Sequence, residues 1–184
     1  TAEECAEATA LDPELVDRWF GHRNDVSALE ALISRGYMVD TMELTVSWTD
    51  LPALYPAVRD AIASVPGVIA STAHLSHSYP DGACLYFTFA GRAAVDGADA
   101  IEEMYLASWN AGTDAALANG GSLSHHHGIG LNRGRFMRSA LGEGAMEVLH
   151  RAKDALDPNG ILNPGKMGIP TRFGSAPEGF GDGR

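Results

Sequence analysis

A chain of 184 residues with 45% hydrophobic content is long enough for one domain with a core of its own. Its formal charge of −11 argues against non-specific binding of nucleic acid or anionic lipid, because the protein's own field repels both. No run of eighteen apolar residues and no basic segment followed by an apolar core is found, so neither a membrane span nor a secretory signal is expected. Cys5 and Cys84 lie far apart without CxxC spacing, which fits a reducing compartment and argues against a zinc knuckle or a disulfide framework. The chain opens on Thr1 rather than Met, as expected of a processed product or a piece of a longer protein.

The first predicted element is a short amphipathic helix with Asp12 as N-cap and Pro13 in its first turn. Leu15, Val16, Trp19 and Phe20 form its apolar stripe and Gly21 ends it. A second helix begins near Asp25 or Ser27, carries Val26, Leu29, Leu32 and Ile33, and ends at Gly36. From Met38 to Trp48 the period changes to two: Met38, Met42, Leu44, Val46 and Trp48 share one face and Thr41, Glu43, Thr45 and Ser47 the other, which predicts a strand. Thr49 or Asp50 with Pro52 starts a helix whose Leu51, Leu54, Tyr55, Val58, Ile62 and Val65 recur at helical spacing. Residues 68–78 and 83–90 read as strands around the turn Tyr79-Pro80-Asp81-Gly82. In the second of them Leu85, Phe87 and Phe89 share one face and Cys84, Tyr86 and Thr88 the other. A helix from about Ala98 to Ala118 closes at Gly120-Gly121. Ala145, Met146, Leu149, Ala152 and Leu156 mark one more, before a type I turn at Asp157-Pro158-Asn159-Gly160.

The order strand, helix, strand, strand, helix defines an α+β fold, a ferredoxin-like antiparallel sheet with helices on one face, plus a C-terminal helical segment. The second face of that sheet, with Glu43, Thr45, Tyr86, Thr88 and His74, is either solvated or lines a cavity. The tail 171–184, rich in Gly and Pro, is expected to be disordered.

"SLSHHHGIG" (Ser122 to Gly130) carries the densest chemistry. Neighbouring side chains of an extended segment point to opposite sides, so His125 and His127 alone are expected to converge, and a metal would need His74, His77 or Glu43 as further donors. No metal site is assigned. Imidazoles beside glycines suit acid/base work at neutral pH, against the plain alternative of a polar loop. Arg133, Arg135 and Arg138 follow, as a patch for an anionic small molecule or as a solvated helix face. Tyr86 is a core tyrosine with a bonded hydroxyl, or a partner of the histidines in a proton relay.

The segments "YPDGACLYFTFAG" (Tyr79 to Gly91), "LANGGSLSHHHGIG" (Leu117 to Gly130) and "LDPNGILNPGKM" (Leu156 to Met167) together resemble the C-terminal half of FAD-linked oxidases of the vanillyl-alcohol oxidase type. The "SLSHHHGIG" form is similar to that of the alkyldihydroxyacetonephosphate synthase branch; related D-lactate, glycolate and 2-hydroxyglutarate dehydrogenases have Gly-Glu-His where His125, His126 and His127 stand here. The resemblance implies a cap, or substrate, domain over 1–121 and a segment 122–170 that returns to the flavin. FAD is implied as cofactor, held mainly by an N-terminal FAD domain that has no counterpart among these residues. On that basis the isolated chain is expected to be inactive.

Tyr86, His125, His126 and His127 match the family's catalytic positions, and Asn163 the group that reaches the flavin ring. Glu43, Arg133 and Arg135 are the expected substrate-binding residues. The implied reaction exchanges the acyl group of acyl-dihydroxyacetone phosphate for a fatty alcohol through the flavin N5, in ether-lipid synthesis, without net redox change. One departure is Ser27-Ala28-Leu29-Glu30, where the family has an arginine for the substrate's anion at the place of Leu29; either Arg23 or the Arg133 to Arg138 cluster takes that role, or the substrate differs from an acyl-dihydroxyacetone phosphate. Two alternatives stand beside this: a 2-hydroxy-acid dehydrogenase with a metal near the flavin, and a non-catalytic binding module with the cap fold. The partners implied are a small-molecule lipid or hydroxy-acid substrate and the FAD domain, with a homodimer open, no nucleic acid, and a cytoplasmic or membrane-peripheral location.

Overall fold

The computed structural model describes residues 11–23, 25, 27–174 and 179–180; Val26 and most of the expected tail, 175–178 and 181–184, lie outside the described residues. The chain divides into two compact units, Thr1–Arg35 and Gly36–Arg184. In the first, α1 (Pro13–His22) and α2 (Ser27–Ile33) form where expected. Asp12 caps α1 by accepting from the Glu14 N–H at 3.0 Å, and Gly21 is carried inside the helix rather than ending it. The Arg23 guanidinium lies over the rings of Trp19 and Phe20.

The second unit holds β1 (Tyr37–Ser47), α3 (Leu51–Ala63), β2 (Val68–Ser78), β3 (Gly82–Arg92), α4 (Ala98–Ala118), a 3-10 turn (Gly134–Phe136) and α5 (Met137–Leu156). The strands form an antiparallel sheet in the order β1-β3-β2. This is the ferredoxin-like arrangement with the edge of β1 left for a fourth element. Strand alternation sends Met38, Met42, Leu44 and Val46 of β1 and Leu85, Phe87 and Phe89 of β3 to one face. There they pack with Leu54, Val58 and Ile62 of α3 and Met104, Trp109 and Ala116 of α4, so the helices cover that face as the patterning predicts.

The helices approach closely at Gly112, where an added Cβ would stand 2.9 Å from Ile62 and 3.0 Å from the Met42 methyl. Gly112→Val is therefore expected to destabilise the protein by about 1–3 kcal/mol, the scale of core overpacking. A lowered denaturant midpoint at unchanged slope is the check.

β2 breaks register between Leu75 and His77, where Leu75 faces Leu85 but His77 faces Cys84. Ser76 is the inserted residue of this bulge. Simple alternation would send His77 to the helix-covered side; the bulge returns it to the polar face with His74.

Three expectations are corrected. Trp48 is not part of the apolar strand face: β1 ends at Ser47, and Trp48 is exposed with its indole N–H donating to the Tyr79 carbonyl at 2.9 Å. The last helix starts at Met137, well before Ala145, and runs through a kink at Gly142, whose φ of 76° suits a glycine. Of its expected apolar stripe Met146 is buried, with Leu123, Phe136 and Met137, whereas Leu156 is 83% exposed because the chain turns away just after it. That turn is tied by Asp157, which accepts from the N–H groups of Ile161 and Leu162 at 3.1 and 2.8 Å and from Lys153. The Lys153 ammonium and these two amides hold its carboxyl down at about 2.

Among the described residues no helix is long and apolar enough to cross a membrane.

Candidate active site on the polar face of the sheet

The free edge of β1 is used by the histidine loop. Ser122 N–H donates to the Thr45 carbonyl at 2.9 Å, the Ser122 hydroxyl oxygen accepts from Thr45 N–H at 2.9 Å, and His125 N–H donates to the Glu43 carbonyl at 3.0 Å. These bonds lay residues 122–125 along the strand where a fourth strand would stand, and satisfy backbone groups an edge would otherwise expose. Past His125 the chain turns, with Gly128 at φ 78° and Gly130 at φ 58°.

Turned rather than extended, the loop brings all three imidazoles to one carboxylate, which corrects the expectation that only His125 and His127 converge. Glu43 is fully buried. His125 Nδ1 lies 3.7 Å from its Oε1, and His126 Nδ1 and His127 Nε2 lie 3.2 and 3.3 Å from its Oε2. From β2 the Ser76 hydroxyl donates to Oε1 at 2.5 Å, with His77 Nδ1 at 3.3 Å from the same oxygen. The bulge is what lets two consecutive residues of β2 reach one acceptor. Oε2 has no aligned hydrogen-bond donor despite its two imidazole neighbours, so His126 and His127 become its ion-pair partners only when their rings take up a proton.

Burial works to raise the Glu43 pKa, but the Ser76 hydroxyl, the charges of His126 and His127 and the His77 bond outweigh it and hold the carboxyl below its ordinary range. Burial also depresses His127, against the pull of Glu43 and with the help of His126 and Arg133. His127 is thereby kept neutral and able to accept a proton.

Tyr86 sits opposite Glu43 on β3 and opposite His74 on β2. Its hydroxyl donates to Thr41 Oγ1 at 3.1 Å, its ring stacks on His74, and His127 meets it edge-on at 5.5 Å between centroids. The hydroxyl oxygen still has acceptor capacity. Tyr86 therefore adjoins the cluster without a direct hydrogen bond to a histidine. That bond belongs to Tyr79, whose hydroxyl is 3.0 Å from His125 Nε2.

The arginines do not form an exposed basic patch. Arg133 is 9% exposed, and its guanidinium lies 4.6 Å from the centre of the Trp109 ring, whose N–H donates to Asp40 at 2.9 Å. Arg135 is 4% exposed between the Phe136 and Phe180 rings and donates to the Gly179 carbonyl at 3.0 Å, while Arg138 pairs with Glu143. Arg133 acts on the cluster through its charge on His127. Asn163 is exposed in the loop after α5, at a φ of 46°.

Two sets of side chains bring potential metal-ligand atoms within 4.8 Å of one another: Glu43, His77, Cys84 and His125, and Glu43, His126 and His127. Burial and the charge of Glu43 raise the Cys84 thiol. Sequence reading missed Ser76, Tyr79 and Cys84 as members of the site and weighed His77 only as a metal donor. For Ser76 and His77 the missing signal is the bulge, which no residue pattern announces.

An antiparallel α+β domain with a histidine cluster on its uncovered face is the class defined by this geometry, and the comparisons place it. The chain belongs to the family "FAD linked oxidases, C-terminal domain", which matches residues 1–167, and FAD is the cofactor of that family. It is 33% identical over 165 residues to the alkyldihydroxyacetonephosphate synthase of Trypanosoma brucei brucei, covering 87% of this chain and 26% of that protein. The fold is similar to a solved alkyldihydroxyacetonephosphate synthase at a TM-score of 0.53 and 27% identity, over 80% of this chain and 24% of the other. A mitochondrial D-lactate dehydrogenase [cytochrome] of Arabidopsis thaliana is 38% identical over 53 residues, 29% of this chain and 9% of that protein. The chain thus spans about a quarter of the length of the synthase it matches.

Proposed function

We propose that this chain is the substrate-facing part of an FAD-dependent enzyme that exchanges the acyl group of acyl-dihydroxyacetone phosphate for a fatty alcohol. The observation that carries the reading is the convergence of the histidine loop on buried Glu43, with the His126 side chain 56% exposed and its Nε2 without a hydrogen-bond partner among the described residues. That nitrogen is the base that removes the proton next to the substrate carbonyl, with His127 held neutral beside it. Tyr86 assists departure of the fatty acid and entry of the alcohol.

The residues present fit a flavin edge, since imidazoles and a phenol offer donors and polarisable faces to a planar ring without burying a net charge against it. His126, His127 and Tyr86, with Asn163, are the groups that would face it, the cofactor being held mainly by an N-terminal domain of the same protein. When bound, FAD supplies the electrophilic centre that the side chains here cannot provide. Arg133 and Arg135, both buried, orient the substrate-facing segment from within.

The test is exchange of labelled fatty alcohol into acyl-dihydroxyacetone phosphate by the full-length protein, with loss of the visible flavin absorbance on adding substrate. A second reading, a 2-hydroxy-acid dehydrogenase with a divalent metal, is favoured by the convergence of Glu43, His77, Cys84 and His125. It predicts stoichiometric metal in the purified protein and flavin reduction by D-lactate or 2-hydroxyglutarate, and either result replaces the first reading. Failure of both reactions supports a non-catalytic cap.

A further inference from the structure

Resting on the exchange reaction proposed above, we infer that Tyr79 and His125 form a proton relay that connects His126 to solvent at the β2–β3 turn. The Tyr79 hydroxyl is 3.0 Å from His125 Nε2, and His125 Nδ1 is 2.8 Å from His126 Nδ1. Both ring nitrogens of His125 are therefore engaged in one unbroken chain, and its place is fixed by its own N–H on the Glu43 carbonyl. Tyr79 is equally well placed. Its N–H donates to the Gly82 carbonyl, its carbonyl accepts the Trp48 indole, and its ring lies parallel to His77 at an interplanar angle of 5°. Yet Tyr79 is 43% exposed and lines a surface cavity with Ser47, Asp81, Gly121 and Ser122.

The reaction needs such a path. The proton taken from the carbon next to the carbonyl is returned to it and nets nothing. When the ether C–O bond forms, the alcohol O–H bond breaks, and the bond to the acyl oxygen breaks with its electron pair. The acid leaves as carboxylate at neutral pH, its pKa lying near 4 to 5 on the scale of ordinary carboxyls, about 4.3 for Glu. One proton per turnover must therefore reach water while substrate and cofactor cover His126.

The alcohol O–H proton, received at His126 Nε2 after that nitrogen has returned its first proton to carbon, releases the Nδ1 proton to His125 Nδ1. The Nε2 proton of His125 passes to the Tyr79 oxygen, and the Tyr79 hydroxyl proton passes to water. Between turnovers exchange with solvent at Tyr79 and His126 restores the starting tautomers.

The test is Tyr79→Phe in the full-length FAD-loaded protein, with folding verified by circular dichroism. The expected result is a fall in kcat of about tenfold or more, smaller than the roughly hundredfold of a group that itself performs acid/base catalysis, with KM unchanged and the rate restored by added imidazole buffer. An unchanged kcat, or a loss that imidazole does not restore, overturns the relay while wild-type exchange leaves the proposed reaction standing. If the wild type shows no exchange, that reaction fails by itself and the relay is judged by NMR. The hydrogen-bonded imidazole proton of His125 should then be lost or strongly shifted in Tyr79→Phe, and an unmoved signal overturns it.

Discussion

Glu43→Gln is expected to lower turnover of the full-length enzyme by about a hundredfold, although the amide nearly preserves the shape of the side chain. The glutamine still accepts from Ser76, but it removes the charge that gathers His77, His125, His126 and His127 around one buried point. The imidazoles then lose their common anchor, and loss of positioned acid/base groups has this scale. Glu43→Ala goes further. It strips the partner from the Ser76 hydroxyl and opens a cavity, and a loss of roughly 2–3 kcal/mol is expected, the scale of hydrogen bonds to a charged group. Chemical denaturation checks the second value, and near-normal turnover in Glu43→Gln would show the carboxylate to be a packing element.

The second large effect is expected from His126→Ala and Tyr86→Phe, each lowering turnover by at least about a hundredfold with little change in stability. His126 is half exposed and Tyr86 gives up one hydrogen bond, to Thr41, so neither substitution disturbs the core. Near-normal rates in both would make the cluster structural.

The pH dependence has a definite sign. The His127 pKa lies below its ordinary value, so the fold favours the neutral ring; stability is lost as pH falls from about 6.5 through the depressed value, where the unfolded chain binds the proton first. Glu43 is also depressed, so its contribution is full above the unfolded carboxyl pKa of about 4.3 and disappears as pH falls through the lower folded value. His127→Ala should remove the upper stage of acid destabilisation and leave the lower, as read by denaturation at successive pH values.

Much of the fold was legible because it rests on local periodicity. The two-residue alternation of β1 and β3 and the helical spacing in α3 and α4 predict those elements closely, since burying one face imposes the same rule on every residue of the element. Glu43 and Tyr86 were legible as neighbours for the same reason, each lying on the polar side of its strand. What escaped was set by single irregularities. A bulge at Ser76 changed the side on which His77 emerges, the turn after His125 gathered three histidines instead of two, and aromatic rings drew Arg133 and Arg135 inside.

The sequence by itself determined the α+β class, the helix-covered face and the family to which the histidine loop belongs, because these depend on residue type and repeat. Only the tertiary structure decided that Glu43 is the common centre of that loop and that Tyr79, rather than Tyr86, bonds to it. Those facts follow from pairing between segments distant in the chain, where backbone hydrogen bonds at a strand edge and one inserted residue fix directions that no local pattern carries.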